Sequence, residues 1–325
     1  MPSMQSAHID RALTNISVAY MQDASAFIAD KVFPVVPVTR QSDIYYQYSR
    51  ADFLRDEAAQ RAAGTESAGG DYGVEAKDPY FCRKHAFHMD ITPEMRANYD
   101  EPLNADKDAT DFVTQKMLIR REMEWANTYF KTGVWGTEYA GAAAAGAAAK
   151  VYWNDKTKST IIEDVTDASI AMAGKTGFRP NTLVMSPAVF NAIKNNDAIL
   201  DRIRYTQKGI VTTDLLASLF EVDKVLVAWS IVNSAAKGKA ESTDFVTGKH
   251  ALLCYSAPSP ALRKPSAGYI FSWSGLEGVG GYGNRIVRLP MEHLGIGVER
   301  IEGEIAFDTK VICNDLGVFF KDIVQ

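Results

Sequence analysis

The stretch FIADKVFPVVPV, residues 27–38, sets the character of the start of the chain. Pro34 and Pro37 lack the backbone N–H that a helix needs, and each disfavours a helical conformation in the residue before it, so this run is predicted to be extended. The missing N–H also keeps such a strand out of the middle of a sheet. We therefore predict an N-terminal arm that lies along another element. Upstream of the stretch, apolar residues recur at helical spacing: Ile9, Leu13, Ile16 and Tyr20.

The segment 43–92 is predicted to form one long β-hairpin. Its arms carry aromatic and apolar residues in strand-like alternation, whereas the polar stretch 55–70 between them contains almost nothing to bury. At about 3.3 Å per residue, arms of about a dozen residues reach about 40 Å. A two-stranded ribbon is only marginally stable in water by itself. We therefore expect a neighbouring subunit to support it.

The clearest predicted helix covers 108–130, a rod of about 35 Å at about 1.5 Å per residue. One of its faces is apolar at helical spacing: Phe112, Ile119, Met123, Ala126 and Phe130. Beyond it, a buried strand is predicted at 181–185, followed by a helix with Ser186 as its N-cap and Pro187 in its first turn. Further strands are predicted within 224–232, 250–255 and 297–324. This mixture indicates an α+β fold.

Composition and charge exclude several classes of protein. The chain of 325 residues is 46% hydrophobic and 23% charged, which is ordinary for a soluble folded protein. No apolar run approaches the roughly 18 residues of a membrane span, and residues 1–10 contain no export signal. Cys82, Cys254 and Cys313 are widely spaced, which fits a reducing compartment. The net charge of −5 lacks the basic excess of a nucleic-acid-binding protein, although a container for DNA needs none.

The order and spacing of these parts resemble the major capsid proteins of tailed bacteriophages, whose Hong Kong phage-type fold is shared by encapsulins. Five stretches carry the resemblance: FIADKVFPVVPV (27–38), the hairpin 43–92, the helix 108–130, RPNTLVMSP (179–187) and KVICNDLGVFFKD (310–322). The resemblance extends over nearly the whole chain. What is specific is their arrangement, because none of them is a catalytic motif with strict spacing.

The resemblance implies an α+β fold, the tailed-phage major capsid fold, with an axial and a peripheral domain. Its parts are expected to be an N-terminal arm (1–42), an extended β-hairpin loop (43–92), a peripheral domain (93–155) with the spine helix 108–130, an axial domain (156–295) and strands that return to the peripheral domain (296–325). Some family members start with a long, charged scaffolding segment. Residues 1–30 are too short and too little charged for it, and Met1 argues against processing, so a separate scaffolding protein is expected.

The resemblance also implies a function: a major capsid protein, not an enzyme, that self-assembles into hexamers and pentamers of an icosahedral phage head enclosing double-stranded DNA. The implied partners are other copies of the chain, the scaffolding protein, the portal, an optional decoration protein and DNA held without tight specific binding, with no membrane. Assembly is expected in the host bacterial cytoplasm, and the final location is the virion. No catalytic residue, cofactor or metal is expected. The hypothesised assembly interface comprises Phe27, Phe33, Arg50, Arg55, Asp56, Glu57, Arg61 and Glu66.

Three motifs associated with chemistry lack the context that the chemistry requires. GVGGYG (278–283) matches the dinucleotide-binding glycine pattern, but the segment 284–290 after it is predicted to be extended, not helical. GKT (174–176) has Ser169 where a phosphate loop needs its first glycine, and it lies at a predicted helix end. In CRKHAFH (82–88), the cysteine and the two histidines do not share one strand face, and a fourth zinc ligand is missing nearby.

Three alternatives remain open from the residues. An encapsulin-type compartment shares the fold and encloses protein cargo, so a neighbouring gene for a cargo enzyme would favour it over a phage head. A nucleotide-dependent enzyme would use the glycine-rich stretch 275–283 and would bind NAD or ATP. Another virion component, such as a tail protein, would form tubes or rings instead of closed shells.

Overall fold

The structure is a computed structural model, and it describes residues 21–99, 104–203, 211–260, 264–275 and 285–325. Residues 1–20 and the glycine-rich motif 278–283 lie outside the described residues. The described helices are α1 (Ala29–Val32), α2 (Arg50–Leu54), α3 (Pro93–Asn98), α4 (Ala105–Tyr129), α5 (Ile161–Thr176), α6 (Pro187–Lys194), α7 (Asp197–Ile203) and α8 (Thr213–Leu219).

The described strands alternate with these helices along the chain, which confirms the predicted α+β class. They are β1 (Val35–Val38), β2 (Ser42–Asp43), β3 (Tyr46–Tyr48), β4 (Val74–Ala76), β5 (Tyr80–Phe81), β6 (Arg83–Ile91), β7 (Thr137–Ala142), β8 (Ala149–Val151), β9 (Thr182–Met185), β10 (Lys224–Val227), β11 (Ile231–Asn233), β12 (Thr243–Phe245), β13 (Ala251–Cys254), β14 (Gly268–Trp273), β15 (Arg285–Pro290), β16 (Glu299–Val311) and β17 (Gly317–Lys321).

The longest strand, β16, organises a five-stranded sheet. β6 pairs antiparallel with one edge of β16, and β14 and β15 pair antiparallel with successive parts of its other edge. β1 completes the sheet by pairing in parallel with β14. β1 contains Pro37 and is an edge strand, which is the position that a strand with a proline requires. The extended stretch at the start of the chain therefore lies along the body of the subunit.

α4 corresponds to the helix predicted over 108–130, and it begins three residues earlier, at Ala105, because Asn104 caps it. The Asn104 Oδ1 atom accepts the backbone N–H groups of Asp106 and Lys107, at 3.1 Å each. α4 packs across the five-stranded sheet, where a Cβ atom at Gly303 of β16 would lie only 2.5 Å from the Val113 Cγ1 atom. Gly303 therefore allows the helix and the sheet to approach closely.

The second sheet has six strands in the order β10-β9-β13-β17-β7-β8. Its central strands are apolar at nearly every position, because both faces of the sheet are covered. Leu183 and Met185 of β9 point into a core with α5, α6, α7 and α8, whereas Val184 between them points into a core with α1, α4 and β14. The six-stranded sheet is therefore the middle layer, with these four helices on one face and α4 and the five-stranded sheet on the other.

The division into sheets does not coincide with the predicted division into domains. β17 is predicted to return to the peripheral domain, yet it lies in the six-stranded sheet, where residues 318–320 pair with 251–253 of β13 and with 137–139 of β7. β14 and β15, from the predicted axial domain, lie in the five-stranded sheet. Strand pairing thus joins segments of different predicted domains, and the boundaries at residues 155 and 296 stay a prediction.

Two short ladders build the predicted hairpin. β2 pairs antiparallel with β5, and β3 with β4, which makes a two-stranded ribbon between residues 42 and 81. α2 follows β3, and residues 55–73 contain neither helix nor strand. β6 leaves the ribbon and pairs with β16 instead. The ribbon, residues 42–81, is therefore shorter than the predicted 43–92, because the cross-strand partners of β6 belong to the body of the subunit.

Candidate assembly interface

The segment 27–33 of the predicted arm is fastened inside the subunit by Glu122 of α4. The Glu122 carboxylate accepts the backbone N–H of Ile28, at 3.1 and 3.2 Å from its two oxygens, that of Ala29, at 2.9 Å, and the Ser230 hydroxyl, at 3.2 Å. Glu122 is fully buried. Burial raises the pKa of its carboxyl, and the hydrogen bonds only partly oppose the rise. A buried carboxylate therefore joins the arm to the spine helix.

The other end of α1 is held from the side of the six-stranded sheet. The Lys224 Nζ atom donates to the Lys31 carbonyl oxygen at 2.5 Å, and the Ser256 Oγ atom donates to the Val32 carbonyl oxygen at 2.6 Å. Lys224 is half-buried, and burial lowers the pKa of its ammonium group. These contacts form what we call the clasp: residues 27–33 with Glu122, Lys224, Ser230 and Ser256.

Phe27 and Phe33, two residues of the hypothesised interface, lie in the clasp and are each 1% exposed. The Phe33 ring packs against the Tyr129 ring of α4, with 4.6 Å between the ring centroids. A side chain that is buried in its own subunit meets a neighbour only when that core opens. Phe27 and Phe33 are therefore core residues of the subunit, and their place in an assembly interface stays a prediction.

The ribbon exposes apolar side chains that its own subunit does not cover. Its large exposed residues are Ile44, Tyr46, Phe53, Leu54, Tyr72, Val74 and Phe81. Three aromatic rings cluster where the ladder ends, with ring centroids 6.2 Å apart for Phe53 and Tyr48 and 5.4 Å apart for Phe53 and Tyr72. An extended apolar surface of this kind marks an interaction site on a soluble protein. The ribbon therefore requires a partner surface.

The remaining residues of the hypothesised interface lie beyond the end of the β3–β4 ladder. Arg50, the first residue of α2, forms an ion pair with Asp315 of the subunit body, with 2.7 Å between nitrogen and oxygen. At the tip, Arg55 pairs with Asp52 at 2.9 Å and with Glu57 at 2.7 Å. Three further residues are exposed at the tip: Asp56, Arg61 and Glu66. The structure thus brings Arg55 and Glu57 together and directs Arg50 to its own subunit.

The hypothesised interface residues do not include the apolar residues of the ribbon, and sequence reasoning missed Glu122. The signal for the ribbon was available, because aromatic residues alternate over 43–50 next to a stretch with almost nothing to bury. Glu122 gave no such signal. A glutamate within RREME (120–124) of a helix is typical of a solvent-exposed face, since glutamate is almost never buried unless it is paired.

The motifs associated with chemistry have structural roles where the structure describes them. Cys82 is buried, its thiol donates to the Phe271 carbonyl oxygen at 3.5 Å, and burial raises its pKa to about 12. GKT (174–176) ends α5, and Gly177 follows as a left-handed C-cap with a φ of 76°. Among the described residues, no group of three or more His, Cys, Asp or Glu side chains is placed to hold a metal ion. Within the same residues, no helix is long and apolar enough to cross a membrane.

Comparison with known proteins found sequence relatives among phage proteins. No protein-family model matches the sequence. The chain is 26% identical over 249 residues to the major capsid protein of Burkholderia phage BcepMu, and the match covers 76% of each chain. It is 25% identical to the major capsid protein of Pseudomonas phage JBD67, and that match covers 97% of each chain.

Several solved structures share the fold. A phage-related protein from Bordetella bronchiseptica matches with a TM-score of 0.69 at 21% identity, over 93% of this chain and 94% of that one. The capsid of cyanophage P-SCSP1u matches with a TM-score of 0.61 at 11% identity, over 97% of this chain and 93% of that one. The holo-SrpI encapsulin complex from Synechococcus elongatus PCC 7942 matches with a TM-score of 0.59 at 13% identity, over 97% and 95% of the two chains.

The two kinds of match support different statements. The sequence relatives are phage major capsid proteins and span most or nearly all of the chain. The solved structures have lower sequence identity and show the fold alone. The chain is therefore similar in sequence to phage major capsid proteins and has the fold that phage capsids share with encapsulin shells, which confirms the predicted resemblance and the predicted fold.

Proposed function

We propose that this protein is a phage major capsid protein, a subunit that works by assembling with copies of itself. The observation that carries the proposal is an exposed apolar ribbon on a subunit whose fold is that of capsid shells. Its similarity to two phage major capsid proteins supports the same function. The proposal gives the protein a structural role and no enzymatic one.

A neighbouring copy is the partner that the ribbon requires. Its two ladders are short, and a two-stranded ribbon is only marginally stable in water by itself. Full burial of a large apolar side chain contributes roughly 1.5–3 kcal/mol, so covering Phe53 and Leu54 stabilises the contact substantially. A ribbon that docks on a different part of the next subunit makes a head-to-tail contact. Such contacts close into rings when the rotation between successive subunits completes a full turn.

The clasp supports the same function from inside the subunit. It ties the start of the chain to α4 and to the edge of the six-stranded sheet through buried or half-buried polar groups. The following strand, β1, is hydrogen-bonded to the five-stranded sheet. The segment 27–33 is thus held by contacts within its own subunit, whereas the ribbon keeps large apolar side chains exposed for a neighbour.

The family resemblance supports finer assignments, which we propose as well. The assemblies are hexamers and pentamers of an icosahedral head that encloses double-stranded DNA, with a separate scaffolding protein, a portal and an optional decoration protein as partners. Assembly takes place in the host bacterial cytoplasm, and the product is the virion capsid. The net charge of −5 supports enclosure of DNA without tight binding, because like charges keep the polymer mobile.

An encapsulin-type compartment is the second candidate, because an encapsulin complex shares the fold. It would enclose protein cargo in place of DNA. The content of purified shells separates the two candidates. Packaged DNA after co-expression with a portal and the packaging machinery supports the phage head, whereas shells that retain only a co-expressed cargo enzyme support the compartment.

Negative-stain electron microscopy of the protein, expressed alone and with a scaffold encoded nearby, tests the proposal. We expect closed shells, or rings of six and five subunits. A monodisperse monomer or dimer under both conditions would contradict the assembly function. Deletion of residues 55–70 tests the ribbon, and a shorter deletion within the exposed loop 143–148 is the control. Normal shells from the first deletion would remove the tip of the ribbon from the interface.

A further inference from the structure

A second exposed aromatic patch lies beside the clasp. It consists of Trp229, Ile231 and Phe245, which are 53%, 38% and 38% exposed. Ile231 of β11 and Phe245 of β12 are direct cross-strand partners, and the Trp229 and Phe245 rings meet edge to face with 6.3 Å between centroids. Ser230, between Trp229 and Ile231, points the other way and donates to Glu122. We call Trp229, Ile231 and Phe245 the Trp229 patch.

The start of the described chain is anchored at this patch by Gln22. The Gln22 Nε2 atom donates to the Ile231 carbonyl oxygen, and the Gln22 Oε1 atom accepts the Ile231 N–H, both at 2.8 Å. A neighbouring strand would make the same pair of hydrogen bonds, so Gln22 occupies the outer edge of β11. Met21, the next residue toward the N-terminus, is 49% exposed. The chain therefore leads directly to the patch.

We propose that the segment before Met21, residues 1–20, covers the Trp229 patch of its own subunit. The Gln22 anchor holds one end of this segment at the patch, which gives an effective concentration on the order of millimolar. The segment also offers apolar residues at regular spacing: Ile9, Leu13, Ile16 and Tyr20. Its charged residues are Asp10 and Arg11, which balance each other, so no net charge opposes an apolar contact.

The proposal concerns a contact within one subunit, and so it does not depend on the proposed assembly function. Both can be measured on the same preparation, the first on unassembled subunits and the second by electron microscopy of shells. With the Trp229 patch covered, the ribbon would still keep its own exposed apolar side chains for neighbours. A patch that neighbouring copies cover would instead change with assembly and not with the removal of residues 1–20.

Fluorescence quenching by acrylamide is the first test, since Trp229 is the exposed tryptophan. Trp125, Trp135 and Trp153 are buried, and Trp273 is half-buried with its Nε1 atom bonded to the Thr39 carbonyl oxygen. We expect stronger quenching in a chain that lacks residues 1–20 than in the intact chain, both unassembled. The same deletion in a Trp229→Phe background should change nothing. Equal quenching of the intact and the shortened chain would overturn the proposal.

Hydrogen exchange of the intact chain is the second test. Amides of residues 9–20 should exchange about tenfold more slowly than in the denatured chain, and Trp229→Ser should abolish this protection. Ile170→Ser is the matched control, because Ile170 is an exposed apolar residue of α5. Gln22→Glu replaces the amide donor by a carboxylate that faces the Ile231 carbonyl, and it should weaken the protection without altering the core. Equal exchange rates in the wild type and in Trp229→Ser would overturn the proposal, whether those rates are fast or slow.

Discussion

The segment 27–33 of the clasp and the ribbon both precede the spine helix in sequence, and the sequence predicts that both contact neighbouring subunits. In the clasp, the body of the same subunit supplies the partners: a buried carboxylate at one end of α1 and an ammonium group and a hydroxyl at the other. In the ribbon, large apolar side chains remain exposed although the two strands pair with each other. We therefore expect a segment with little core of its own to act in assembly only when its own subunit offers it no partner.

The two segments also differ in the interaction that holds them. The clasp depends on buried hydrogen bonds, which contribute modestly when made and cost more when one partner is removed. The ribbon depends on apolar area, which is favourable against any surface that excludes water from it. Substitutions in the clasp should therefore lower the stability of the single subunit, and substitutions in the ribbon should act on assembly alone.

The largest effect is expected from Phe53→Ser combined with Leu54→Ser in the ribbon. Each side chain contributes roughly 2 kcal/mol when a neighbour buries it, so the pair weakens every ribbon contact of the shell by about 4 kcal/mol. We expect electron microscopy to show loss of closed shells. The urea midpoint of the unassembled subunit should stay unchanged, because the residues are 59% and 60% exposed.

Ile170→Ser is the control for this double substitution. Ile170 is 65% exposed, so Ile170→Ser also replaces an exposed apolar side chain by a polar one, but on a different part of the surface. It should leave both shell formation and subunit stability unchanged. Normal shells from the double variant, or a subunit that unfolds more easily, would show that the ribbon does not act as an assembly element in the way that its exposure indicates.

Glu122→Ala should cause the next largest effect, and it should act on the subunit. The substitution leaves the buried N–H groups of Ile28 and Ala29 without an acceptor, at about 1–3 kcal/mol each, so unfolding should become easier by about 3 kcal/mol. Glu122→Gln keeps an acceptor oxygen and should cost about 1 kcal/mol. Urea unfolding of unassembled subunits measures both. Equal losses for alanine and glutamine would mean that the hydrogen bonds do not hold the arm.

Local features of the sequence were enough to place several elements. Pro34 and Pro37 predicted an extended run outside the middle of a sheet, and β1 is an edge strand. The spine helix was predicted from its apolar spacing, and its start was placed too late because Asn104 was not recognised as an N-cap. Its buried face was only partly predicted, since Phe112 is 43% exposed while Ala126 is buried.

Pairing between distant segments could not be predicted in the same way. β17 alternates apolar residues between two cores, a pattern that fits either sheet, and only its partners β13 and β7 decide which one. The clasp has the same limitation. Phe27 and Phe33 have the composition of an apolar interface, and the backbone between them is bonded to Glu122, which lies about ninety residues further along the chain.

Lys224→Met tests the weaker end of the clasp. Methionine keeps most of the apolar stem and removes the donor to the Lys31 carbonyl oxygen, so unfolding should become easier by about 1 kcal/mol. Lys224→Arg keeps a donor and serves as the control. Thermal unfolding of unassembled subunits measures the difference. A methionine variant as stable as the wild type would show that the Lys224 ammonium group does not hold the clasp.

The smallest expected effect is a dependence on pH that separates the clasp from the ribbon. The pKa of Glu122 is raised above its ordinary value of 4.5, so its contribution to stability is fully present below that value and is lost as the pH rises through the raised pKa. The wild type should therefore gain stability relative to Glu122→Gln as the pH falls from neutral, and the comparison cancels the other titrating groups. If the difference in stability between the wild type and Glu122→Gln does not change with pH, the result would contradict the burial of an ionisable carboxyl in the clasp. The stability of the ribbon should instead decrease as the pH falls, and only at lower pH. The Gly73 N–H holds the pKa of Asp52 below its ordinary 3.8, so the contribution of Asp52 to stability is lost only as the pH falls through the lowered pKa.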